Sequence, residues 1–166
     1  MTSIGKVNTA QTPPDPAHTR GDLGILLAMA FRALTDRVHA GLTAQGWGEL
    51  RPAHGFTFQF LASRGGATAV ELAAHLGVTK QAATQLVDEL ERLGYLTRRR
   101  HDTDRRARLV TLSDAGWACI RASGALWLAA EAEWAAVTGA DHLEQVRAGL
   151  RAYLDAVGPV PIRPTW

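Results

Sequence analysis

The sequence predicts a mainly α-helical protein with one small β-hairpin. Three observations carry that expectation. Apolar residues recur at helical spacing at both ends of the chain, two short helical patterns sit back to back around Gly77, and a strand-like stretch from Tyr95 to Leu112 folds about a polar, arginine-rich turn. The order of the central part is helix, turn, helix, basic wing, with long amphipathic helices before and after it.

Residues 1–20 hold Pro13, Pro14 and Pro16 among Thr and small polar residues and have no periodicity, as expected of a disordered arm. From Asp22 to about Gln45, Ile25, Leu26, Met29, Leu34, Val38 and Leu42 form a helical apolar stripe. A break at Gly46 to Gly48 precedes Pro52, which suits a first helical turn. The next pattern, with Ala53, Phe56, Phe60 and Leu61, ends at Gly65 and Gly66.

Thr68 followed by Glu71 is a capping-box spacing: the hydroxyl takes an orphan N–H while the carboxylate reaches back to the cap. A helix is expected from about Ala69 with Val70, Ala73, Ala74 and Leu76 as its apolar face, stopped at Gly77. Thr79 can cap a second helix in which Ala82, Ala83, Leu86, Val87, Leu90 and Leu93 repeat before Gly94. Gln81, Thr84, Gln85 and Asp88 then share the opposite face. Two strands, Tyr95 to Arg100 and Arg108 to Leu112, flank the turn, with Val110 and Leu112 inward and Thr111 outward. After the wing, Ser113 can cap a long helix to about Val137, and Asp141 with Glu144 can start a last helix carrying Leu143, Val146, Leu150, Leu154 and Val157.

Uncharged donors and acceptors at the start of a second helix suit base edges in a major groove, so Gln81 and Gln85 are the candidate base readers and Lys80 a phosphate contact. The hairpin is locally basic: Arg98, Arg99, Arg100, Arg105, Arg106 and Arg108 stand against Asp102 and Asp104, in a chain of net charge only +2. Arginines at such a tip can enter a minor groove or pair with phosphates. An ordinary solvated face is the competing reading of either feature alone, and their succession argues against it.

The segment from Gly94 to Gly116, with Tyr95, Asp104, Arg105, Arg106 and Leu112 between, resembles the wing signature of the multiple antibiotic resistance regulator (MarR) family of bacterial transcription factors. The likeness extends more loosely over residues 22–157. It implies a winged helix-turn-helix with Thr79, Lys80, Gln81, Thr84 and Gln85 on the recognition helix, Asp104 bracing the wing, and Arg105 or Arg106 reaching the minor groove. The chain departs from the family where a Pro-Asp-Pro type of turn is usual and Arg100, His101 and Asp102 stand instead.

The resemblance further implies terminal helices that interleave into a homodimer, a near-palindromic double-stranded operator, and repression relieved by a small, often aromatic and acidic, effector. On that organisation residues 21–157 form one domain, with 21–50 and 113–157 as dimerisation helices, 51–112 as the DNA-binding lobe and 158–166 as a Pro-rich tail. His54, Phe56, Trp117 and Trp127 lie on segments that would border an effector pocket, though large aromatics at helical spacing also read as core. The alternatives are a winged-helix module that binds another protein and a ligand-binding dimer without DNA binding.

Other classes find little support. No cofactor is called for: the six histidines are scattered, and there is no cysteine pair for zinc, no glycine-rich phosphate loop and no nucleophile elbow, so an enzyme is not expected. Hydrophobic residues make up 46%, ordinary for a globular protein, with no apolar run fit to span a membrane and no signal core, so a cytoplasmic location is expected. Cys119 is the lone cysteine and is expected to be a small buried hydrophobe rather than a redox switch.

Overall fold

The computed structural model describes residues 21–48, 50–100 and 108–161. Among them run α1 (Leu23–Ala44), α2 (Pro52–Arg64), α3 (Ala69–Leu76), α4 (Lys80–Arg92), β1 (Leu96–Arg100), β2 (Arg108–Leu112), α5 (Asp114–Thr138) and α6 (Ala140–Val157). The chain divides into two units within α1, Met1–Ala33 and Leu34–Trp166. In the first, Ile25, Leu26 and Met29 of the expected apolar stripe are exposed, as is Leu23. In the second, Val38 and Leu42 of the same stripe are buried.

The capping chemistry forms as the residue types dictate. Thr68 Oγ1 accepts from the Glu71 N–H at 3.2 Å while the Glu71 carboxylate accepts from the Thr68 N–H at 2.8 Å, opening α3. Gly77 closes that helix at φ 63°, a left-handed conformation that favours glycine. Thr79 Oγ1 accepts from the Ala82 N–H at 3.2 Å to open α4, and Ser113 Oγ accepts from the Gly116 N–H at 3.1 Å to open α5.

Several expected faces are turned. In α3 the buried residues are Leu72, Ala73 and Leu76, whereas Val70 is 56% exposed and Ala74 is also exposed. At about 100° per residue Val70 points roughly 200° away from Leu72, so an eight-residue helix cannot bury both on one neighbour. In α2 the inward face is His54, Thr57, Phe58 and Leu61, and Phe56 and Phe60 pack half-buried at its edge. Leu93 is exposed because it is the C-cap of α4, past the last turn that packs. Strand β1 starts at Leu96, with Tyr95 buried just before it. Finally, α6 begins at Ala140 behind Gly139 with no side-chain cap, so Asp141 sits in the first turn rather than opening the helix.

The core gathers Leu61, Leu72, Leu76, Val87, Leu90, Leu96 and Val110 from α2, α3, α4 and the hairpin, and Cys119 joins it from α5. The hairpin is antiparallel with Leu96 opposite Leu112, Arg98 opposite Val110 and Arg100 opposite Arg108. Ala67 adds a bridge to its edge: its N–H donates to the Val110 carbonyl at 3.0 Å, and the Val110 N–H returns the bond at 2.8 Å. This ties the α2–α3 connection to the wing and fixes where the hairpin leaves the helices.

Candidate nucleic-acid interface

Helix α4 buries Ala83, Val87 and Leu90 completely and turns Lys80, Gln81 and Gln85 outward. One face of the helix is thus held by the core while Lys80, Gln81 and Gln85 stand exposed on the other. The two threonines of the expected reading face are partly committed. Thr79 Oγ1 is the helix cap, and Thr84 Oγ1 donates to the Lys80 carbonyl at 2.9 Å, so its proton is spent on the backbone.

The hairpin separates its arginines by strand parity. Because side chains alternate across a strand, Arg98 shares the inner row with Leu96 and Val110, and Arg99 stands on the outer row with Thr97. Arg98 accordingly folds back onto α4, where Nη1 donates to Glu91 Oε2 at 2.6 Å and Nη2 donates to Asp88 Oδ1. Its guanidinium is therefore engaged within the lobe. Arg99 and Arg108 are exposed. Arg100 ends β1, and the turn with Asp104, Arg105 and Arg106 lies outside the described residues.

A second ion pair holds the other flank of α4. The Arg51 guanidinium, at the start of α2, donates to Glu89, and His54 lies beneath with its side chain wholly buried. His54 Nδ1 accepts from the Arg51 N–H at 3.2 Å, and Nε2 lies 3.1 Å from Arg51 Nη2 and 3.8 Å from Glu89 Oε2. Burial, then the adjacent guanidinium, pushes the imidazole pKa down to about 4 against the pull of Glu89. The ring is neutral near pH 7.

Beside this cluster is a cavity of about 290 Å³ lined by Arg51, Ala53, Leu76, Val78, Ala82, Gln85, Leu86 and Glu89. None of the four aromatic candidates lines it. His54 is buried under α4, Phe56 and Trp127 pack against the core, and Trp117 is 40% exposed at the start of α5. Arg51 and Glu89 escaped sequence reading because they are 38 positions apart and neither belongs to a local motif. Among the described residues no cluster of histidine, cysteine and carboxylate side chains could hold a metal ion, and no helix is long and apolar enough to cross a membrane.

A helix-turn-helix with a two-stranded wing packed behind its second helix defines a winged helix protein. Residues 50–107, most of that lobe, match the model of the MarR family. Wild-type MarR from E. coli in its apo form has the same fold, with a TM-score of 0.67 at 23% identity over 80% of this chain and 96% of that one. A mutant E. coli MarR complexed with operator DNA aligns with a TM-score of 0.67 at 22% identity, over 85% and 99% of the two chains. A MarR-family transcriptional regulator from Rhodococcus sp. RHA1 aligns with a TM-score of 0.65 at 22% identity, over 85% and 96%. No curated protein sequence matches the chain. Over residues 50–107 the chain is thus similar to the MarR family, and its fold is that of the solved winged-helix regulators.

Proposed function

We propose that the protein is a sequence-specific DNA-binding transcriptional regulator that works as a homodimer in the cytoplasm, repressing until a small ligand releases it. The observation that carries the reading is the outer face of α4. Two uncharged amides, Gln81 and Gln85, stand exposed beside Lys80, next to a hairpin on which, among the described residues, Arg99 and Arg108 are exposed arginines. Amides offer the paired donor and acceptor that adenine edges present in a major groove, and the cations suit phosphates on either side. That a protein of this fold has been seen on operator DNA supports the same use here.

Dimerisation is supported by apolar surface that the described chain leaves uncovered. On α6, Val146, Leu150, Tyr153, Leu154 and Val157 recur at helical spacing and are all exposed, and Leu128 and Val137 on α5 are 70% and 86% exposed. A second copy is a fitting cover, and two-fold symmetry would set two reading helices on a near-palindromic site.

The test is selection of DNA fragments by the purified protein, followed by affinity measurements on the selected and on random duplex. Gln85→Ala should blur base preference at a cost of about 1–3 kcal/mol on the selected site and almost nothing on random DNA. If a dimer neutralises about six phosphates, log affinity should fall with log salt at a slope of roughly −5. A flat salt response, or equal loss on both duplexes, overturns the reading.

A further inference from the structure

We propose that Arg98 is an internal counter-ion of the reading helix: it binds no phosphate, holds the hairpin against α4, and covers the two carboxylates that would otherwise repel DNA. This rests on the DNA-binding reading of the lobe. The placement follows from strand parity, which puts Arg98 on the inner row, and from chain direction, since β1 leaves α4 after the short turn at Leu93 to Tyr95 and runs back beside it. The guanidinium divides its nitrogens between two acids on successive turns of α4, Nη1 to Glu91 Oε2 at 2.6 Å and Nη2 to Asp88 Oδ1. Its side chain is only 28% exposed.

Asp88 is the acid that makes this arrangement matter. It lies three positions after Gln85 and seven after Gln81, on the face assigned to base reading, and it is 56% exposed. An uncompensated carboxylate there would approach the phosphate backbone with like charge, which disfavours docking. Glu91 is a turn further on, and Glu89 on the opposite flank is covered by Arg51. Every acid of α4 (Asp88, Glu89 and Glu91) therefore faces a guanidinium from another element, and the helix presents its amides and Lys80 without exposing a free negative charge.

The two roles open to Arg98 separate cleanly. A phosphate contact would be lost for good on removal of its charge, with the salt slope falling by about one. A counter-ion becomes dispensable once the acids it covers are neutral. The experiment compares four full-length proteins on the selected duplex across a salt series: wild type, Arg98→Gln, Asp88→Asn/Glu91→Gln, and the variant combining all three substitutions. Arg98→Gln should bind about tenfold more weakly, and the triple variant should return to within about threefold of wild type with the wild-type slope. Hydrogen exchange of the hairpin amides should speed up in both Arg98→Gln and Asp88→Asn/Glu91→Gln, since each breaks the strut. No recovery in the triple variant with a slope reduced by about one would make Arg98 a phosphate contact and overturn the proposal, as would an Arg98→Gln protein that binds like wild type. Should Arg98→Gln fail to fold, faster hairpin exchange in Asp88→Asn/Glu91→Gln still supports the strut and unchanged exchange refutes it. A wild type that binds no duplex refutes the DNA-binding reading instead, while the exchange data continue to judge the strut.

Discussion

The hydroxyl of Tyr95 donates to the backbone carbonyl of Trp47, 48 positions earlier, so the junction between α4 and β1 is bonded to the segment that follows α1. Its ring packs on Phe58 with centroids 5.6 Å apart and planes tilted by 58°. The residue is 8% exposed, and burial, with Cys119 beside it, raises the phenol pKa above the ordinary value, keeping the donor protonated. Tyr95→Phe removes one hydrogen bond and leaves the Trp47 carbonyl without this partner. We expect a loss of about 1–2 kcal/mol in urea unfolding with an unchanged m-value. Wild-type stability would show that the contact contributes nothing.

Gly116 sits where α5 crosses the same junction. A Cβ there would lie 2.4 Å from the Tyr95 carbonyl oxygen and 3.0 Å from Leu112 Cδ2, and the oxygen is backbone that cannot swing aside. The Tyr95 carbonyl also accepts from the Ser113 N–H at 3.0 Å, which holds it in place. Alanine in a helix interior normally gains roughly 1 kcal/mol over glycine, yet Gly116→Ala should cost about 1–3 kcal/mol net because packing outweighs propensity here. Thermal unfolding decides the sign, and a raised Tm would refute the clash.

Much of this lobe was legible because its signals are local. The caps Thr68, Thr79 and Ser113 each act within three residues of themselves, and the stops at Gly77 and Gly94 need only a left-handed backbone, so the limits of α3 and α4 could be read from residue type. Which face of a short helix turns inward could not. Helical spacing put Phe56 and Phe60 on the apolar face of α2, but Phe58 with His54 and Thr57 took the core because neighbours from α3, α5 and β2 set the angle of the helix. Gln81 and Gln85 were visible as an exposed uncharged pair, whereas the fate of Arg98 depends on acids ten and seven positions away across a turn. Charge runs are readable, but the partners that consume a charge are a property of the fold.

Cys119 is 1% exposed within the core, and burial pushes its thiol pKa up to about 11. At pH 7.5 the thiolate is scarce and shielded. Alkylation of the native protein should therefore be slower than that of the urea-unfolded chain by about a hundredfold or more, and should accelerate in step with unfolding. Fast labelling of the folded protein at neutral pH would contradict the burial and reopen a redox role.

His54 supplies the most direct test of how α2 supports α4. Its folded pKa of about 4 lies below the ordinary imidazole value of 6.5, so the unfolded chain binds one more proton than the native state between those limits. The neutral ring is the native form, which makes the stability full above pH 6.5 and progressively lost as pH falls toward 4. The shift corresponds to about 3 kcal/mol in all, of which roughly 2 kcal/mol is gone by pH 5. His39 and His75, also lowered by burial, add loss of the same sign, so the measurement must be a difference. Urea unfolding of wild type and His54→Gln from pH 7.5 to 5 should show the wild type losing about 2 kcal/mol more than the variant, even though the variant starts less stable. Protonation of His54 places a cation against Arg51, whose guanidinium holds Glu89 on α4, so the same pH drop should loosen that flank of the helix first. Parallel stability curves for the two proteins would mean that the imidazole titrates freely and is not locked beneath α4.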